Sequence, residues 1–177
     1  IFTRDFTSLN QSGFDNATTP VDQRMVFALS LQQEFSKIMN AYSQAQNNGN
    51  NYATELAYLM GGALQISDQM LVLANEIIPT FDPEAADYTT RMQGLEQMKS
   101  GLTTQIRGAI LSLQETNVYS DEDRVILARY LAKYSLNTNA FLDEPTQKIL
   151  QAEFEQLRVQ ETNALIKDLL GQVLAAF

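Results

Sequence analysis

Three arginines, Arg24, Arg91 and Arg107, stand beside apolar residues that recur at helical spacing. A guanidinium offers a fork of donors that suits carboxylate, nitrate or phosphate, so these side chains are candidates for holding an anion. By position each is equally an ordinary solvated helix residue. Lys99 joins them because it takes a place in an apolar seam otherwise set by Tyr88, Met92, Leu95, Leu102 and Ile106. Glu161 does the same between Leu157 and Leu165. With helix starts near Glu84 and Glu144, Lys99 and Glu161 fall at similar height on helices that run parallel. Two readings stay open. Both side chains snorkel to the surface, or they form a buried pair or the charged lining of a ligand pocket. Arg24, Tyr88, Arg91, Lys99, Arg107 and Glu161 make up the candidate ligand-binding set.

Much other chemistry is excluded by composition. The chain has no histidine and no cysteine, so Ser-His-Asp and Cys-His nucleophiles cannot be assembled. Zinc sites built on His or Cys, histidine-ligated haem and the Glu-x-x-His di-iron sites of helical bundles go the same way. The carboxylate clusters Asp82, Glu84, Asp87 and Asp121, Glu122, Asp123 lack the glycine turn of a calcium loop. Both sit where acids in a helix first turn meet the positive end of the dipole, and capping accounts for them. Two carboxylates suffice for glycoside hydrolysis, but nothing in the pattern picks out a pair. The expectation is a protein that is not an enzyme, with no cofactor and no metal. A net charge of −9 disfavours nucleic acid and anionic membrane surfaces alike.

The elements that would position these groups are all helical. A helix from about Phe2 to Leu9 is followed by an irregular stretch in which Asn10 and Asn16 match a glycosylation sequon that is common by chance. Thr19-Pro20 gives a cap and an early proline, opening a helix that continues through Met25, Ala28, Leu29, Phe35, Ile38 and Tyr42 to about Gln46. Asn47-Asn48-Gly49-Asn50-Asn51 is a turn. A second long helix runs from about Tyr52 to Ile78, with Gly61-Gly62 inside it for close packing, a slight bend or a ligand at the backbone. The third, from Glu84 to about Thr116, is expected to be the packing axis of the chain, about 50 Å long at 1.5 Å per residue. Ser120 and Asp143 cap two further helices, the first ending near Leu142, the last continuing unbroken almost to Phe177. Alternation never holds for five residues, so no strand is expected. The short connections predict an all-α, elongated up-and-down bundle in one domain, residues 1–177.

A resemblance adds to this. The part from Met98 to about Phe177 is similar to the extracytoplasmic all-helical sensor domains of bacterial transmembrane receptors, the input domains of chemoreceptors, sensor kinases and diguanylate cyclases. Ile106-Arg107, Tyr119-Ser120-Asp121-Glu122-Asp123-Arg124 with Leu127-Ala128-Arg129, and the Asp143-Glu144-Pro145 break carry the likeness. Gln23-Arg24-Met25 resembles the nitrate-sensing helical input domains, without their fuller arginine and glycine pattern. The resemblance implies a small ligand, an anion being one candidate, bound between helices or at a dimer interface. It also implies signalling by helix shifts of about 1–2 Å, a homodimer in the full-length receptor, and a place on the periplasmic or extracellular side of the cytoplasmic membrane. The apolar edges Ile1-Phe2 and Leu174-Ala175-Ala176-Phe177, with no run of 18 apolar residues between them, suggest a soluble piece cut from something longer and held to the membrane only by flanking segments. The competing expectation is a secreted or periplasmic helical bundle that presents a face to a partner and takes no small molecule.

Overall fold

The computed structural model describes residues 21–49 and 51–177, with the side chains of 21–22 and 135–141 left aside. Among these residues six α-helices follow one another: α1 Val21–Asn47, α2 Ala53–Ile77, α3 Tyr88–Gln114, α4 Asp121–Phe141, α5 Glu144–Gln160 and α6 Ala164–Leu174, with a 3-10 turn at Ile78–Thr80 after α2. No strand occurs among the described residues, and the molecule is an all-α up-and-down bundle. The expected helix at Phe2–Leu9, the sequons at Asn10 and Asn16 and the Thr19-Pro20 cap lie outside the described residues.

Side-chain contacts give the direction of each helix. Arg24 meets Glu76 at one end of the α1–α2 pair, and the Tyr52 amide donates to Gln46 at the other, so the two are antiparallel. Ser112 on α3 reaches Met60, and Ser67 donates to Gln105, so α2 and α3 are antiparallel as well. Thr54 donates to Asp123, and Gly61 touches the Tyr130 ring, which makes α2 and α4 parallel. The α1–α2 turn needs Gly49, whose φ of 92° places it in the left-handed region.

The packing axis is α2 and not α3. Leu59, Ala63, Ile66, Met70 and Leu73 on one side of α2 pack against Ala28 and Phe35 of α1. Leu64 and Leu71 on another side join the larger core of α3 to α6, centred on Leu113, Leu127, Leu150, Phe154, Ile166 and Leu170. The seam of α3 is real but narrow, whereas α2 is apolar most of the way round because it has neighbours on three sides. By length and mean hydropathy, 1.2, Ala53–Thr80 is apolar enough to cross a membrane, yet 72% of its apolar window is buried inside the bundle. A core helix with that many neighbours has the same composition.

Two helix boundaries differ from expectation. Residues 84–87 are not helical: the Asp82 carboxylate accepts from the Glu84 amide and its carbonyl from the Ala85 amide, which closes a local turn, so α3 starts at Tyr88. The long last helix is two helices. The chain is extended at Glu161 (ψ 133°), and the Asn163 side chain accepts from the Leu165 and Ile166 amides to start α6 afresh. The caps at Ser120 and Asp143 form as expected, the former as a reciprocal capping box with Asp123.

Candidate functional site

The cations read from the sequence each have a carboxylate of their own. Arg24 holds Glu76 at 2.7 Å, Arg91 holds Asp87 at 2.7 Å, and Lys99 holds Glu96 at 2.8 Å. Arg107 takes Glu153 in a two-pronged contact of 3.0 and 3.3 Å. Tyr88 is the half-buried first residue of α3, and Arg91, close by, lies 5.2 Å from the Phe81 ring. These groups string out along the length of the bundle, and none of them lines either of the two cavities described below.

Lys99 and Glu161 are not partners. The helices do run parallel, but α3 starts well before α5. Lys99 lies near Asp143, at the start of α5, where its charge helps to hold the Asp143 carboxyl below its usual range, after the larger effect of the hydrogen bond from Thr146. Glu161 ends α5 and sits level with Leu113, about 21 Å of helical rise beyond Lys99. Equal counts from the two helix starts gave the wrong register because the helices do not begin at the same height.

Glu161 is buried with Arg124 instead, and the two side chains are 1% and 5% exposed. Arg124 donates from Nη2 to Glu161, from Nε to the Leu113 carbonyl at 2.8 Å, and from Nη1 to Asp121 at 2.9 Å. The other Glu161 oxygen accepts from the Thr162 and Asn163 amides at 2.9 and 2.8 Å. Asn163 in turn donates to Asp121, which with Arg124 lowers the Asp121 carboxyl. This network ties the end of α3, the start of α4 and the α5–α6 elbow together. With Arg124 anchored at all three nitrogen positions, it is a fastening between elements and leaves no group to offer a ligand.

A different cluster has the character of a binding site. Arg129-Tyr130-Leu131-Ala132-Lys133-Tyr134 repeats a basic–aromatic pair four residues apart, which puts both cations and both phenols on neighbouring faces of α4. Arg129, Tyr130, Lys133 and Tyr134 line a cavity of about 220 Å³ together with Gln65 of α2. The two rings are nearly parallel, with centroids 6.1 Å apart. Gly61 explains how Tyr130 fits: a Cβ there would fall 2.2 Å from the ring, so only glycine lets α2 come this close. Close helix packing is thus what the glycine serves.

The electrostatics of this cleft favour binding over catalysis. Burial pushes the Tyr130 hydroxyl up, so it remains a donor at neutral pH. Lys133 is raised chiefly by its hydrogen bond to the Tyr134 hydroxyl, with a further contribution from the buried Asp68 of α2. A lysine that acts as a base or forms an imine needs its pKa lowered toward neutrality, and the shift here goes the other way. From the sequence, Arg129 enters only through the resemblance and Tyr134 only as part of an apolar stripe, while Tyr130 and Lys133 carry no role. The four-residue repeat was the signal available.

A second cavity, of about 590 Å³, lies where the α1–α2 turn meets the α3–α4 turn and is lined by Gln46, Asn47, Asn51, Glu115, Asn117 and Tyr119, among others. It is rich in neutral amides, and Tyr119 is pushed up by burial. Among the described residues no three carboxylates come together as a metal site. Comparison with protein-family models, with curated proteins and with solved structures gives no match.

Proposed function

We propose that this chain is the extracytoplasmic sensory domain of a bacterial transmembrane receptor of the chemoreceptor, sensor-kinase or diguanylate-cyclase type. It binds a small ligand between helices and signals by helix shifts rather than by chemistry. In the full-length receptor it works as a homodimer, joined to the membrane by segments flanking this chain. The observation that supports this reading most is the cleft between α2 and α4, the most extensively packed pair in the bundle. These helices are parallel and extend over much of the bundle, so a ligand seated between them biases their relative position along the whole contact. A thermal-shift screen of small molecules against the intact chain tests it. A sensory domain gains stability with one chemical class, by a few kcal/mol at saturation, and a chain stabilised by none is not one.

The alternative, a helical bundle that presents a face to a protein partner, is favoured by one feature. Val26, Phe27 and Leu29 on α1 are exposed. An interaction protein would lose its partner when Val26 and Leu29 are changed to serine and would ignore every small molecule.

A further inference from the structure

We infer that the α2–α4 cleft binds a small monocarboxylate with an aromatic body, its carboxylate held between Arg129 and Lys133 and its ring against Tyr130 and Tyr134. The inference rests on the reading of the chain as a ligand-binding domain and adds the site and the ligand class.

Charge and cavity together mark this cleft. The chain carries a net −9, and most of its described cations end on a carboxylate. Arg129 forms no ion pair with a described residue, and Lys133, four residues on, is turned onto Tyr134, 5.0 Å from the ring centroid. Two cations one helical turn apart beside a cavity are unusual in so acidic a molecule. The other lining residues, Gln65, Tyr130 and Tyr134, bring no carboxylate of their own, so one ligand carboxylate can lie between the two cations. Arg129 contributes a planar fork for the carboxylate, and Lys133 a point charge.

The remaining wall selects the body of the ligand. Tyr130 and Tyr134 present near-parallel rings, inclined by 21°, and aromatic groups associate with such faces in offset or edge-on contact. Gly61 holds Tyr130 in place from behind, so the wall exists before the ligand arrives and little ordering is needed on binding. Gln65 offers an amide at the rim. A volume of about 220 Å³ suits a single-ring carboxylate.

Benzoate is the probe, with benzamide as its uncharged counterpart and nitrate as charge without a body, each titrated calorimetrically into the intact chain. Benzoate binds and raises the melting temperature, and benzamide and nitrate bind at least about tenfold more weakly. Arg129→Gln and Lys133→Gln, both at exposed positions, each weaken benzoate at least about tenfold. Arg129→Gln leaves the melting temperature of the free protein unmoved, whereas Lys133→Gln, which also removes the contact with Tyr134, lowers it slightly. Lys148→Gln, exposed on α5, leaves binding unchanged. Equal binding of benzamide or nitrate, or benzoate binding that survives both substitutions, overturns the inference. If other members of a broad small-molecule set stabilise the chain and benzoate does not, the site and ligand class fail while the ligand-binding reading stands. If nothing in the set stabilises it, that reading fails too.

Discussion

Arg124 is a buried charge with every branch of its guanidinium engaged, and Glu161 has both oxygens engaged. Removing Arg124 leaves Glu161 charged and without an ion pair in the interior, which costs about 3–5 kcal/mol, and removing Glu161 leaves Arg124 only the exposed Asp121 as counter-charge; replacing both by apolar residues of similar volume is close to neutral. Glu161→Ala should therefore lower the denaturant midpoint sharply at unchanged m value, and Arg124→Met with Glu161→Leu should recover most of the loss. Three depressed carboxyls, two beside this network and one at the far end of α5, set the acid limit. Hydrogen bonds from Asn163 and Thr146 depress the Asp121 and Asp143 carboxyls. At Asp123 burial works upward, but the hydrogen bonds from Thr54 and Ser120 outweigh it. A carboxyl depressed in the folded state contributes stability that is complete above its unfolded value, about pH 4, and is lost as pH falls through the folded value. Melting temperature should be flat from neutrality to about pH 4 and fall below it, with Asn163→Ala reducing the Asp121 part. Tyr119, Tyr130 and Lys133, all raised, act with the opposite sign, and their contribution is lost as pH climbs above about 10.

At the scale of the element, Gly61 sets two opposed effects against each other. Alanine gains up to about 1 kcal/mol of helix propensity over glycine, but its Cβ would lie 2.2 Å from the Tyr130 ring. The ring is hemmed in by Tyr134, so repacking costs about 1–3 kcal/mol and the clash wins. Gly61→Ala should be destabilising, whereas Gly101→Ala, with open space around its Cβ, should be stabilising, and thermal melts of the two decide it. Caps and turns were the most legible elements. Ser120, Asp143-Glu144-Pro145 and the Asn-Gly turn act through residues a few positions apart, so local spacing was enough to find them. The α5–α6 elbow was harder to see because Leu157 and Leu165 keep helical spacing across it. The elbow is held from two sides, by the Asn163 cap and by Arg124, which is remote in sequence and bonds Glu161. Apolar periodicity cannot register a tertiary hydrogen bond of that kind.

For the molecule as a whole, two cores share α2 as their common wall. That makes stability uneven. Among the described residues the extensive contacts of α1 are with α2 alone, so α1 should open first. Native-state hydrogen exchange should find the slowest amides in α2 and α4 and faster exchange in α1, with a gap of more than one decade in rate. The sequence supported the helical class and the alternating directions, since both follow from short loops and apolar stripes. It did not reveal which helix is central, because an apolar stripe shows that a face is buried but not how many neighbours bury the rest. Nor did it give the register between α3 and α5, and the Lys99–Glu161 pairing failed for that reason. The α2–α4 cleft depends on the same kind of information: its Gly61–Tyr130 contact joins residues far apart in the chain.

Hydrogen exchange of the intact chain, with and without the small molecule that raises its melting temperature most, tests ligand sensing between helices most directly. The account predicts slowed exchange concentrated in α2 around Gly61 to Asp68 and in α4 around Arg129 to Tyr134, with smaller changes carried along both helices. No stabilising molecule, or protection confined to regions remote from these two helices, would contradict it.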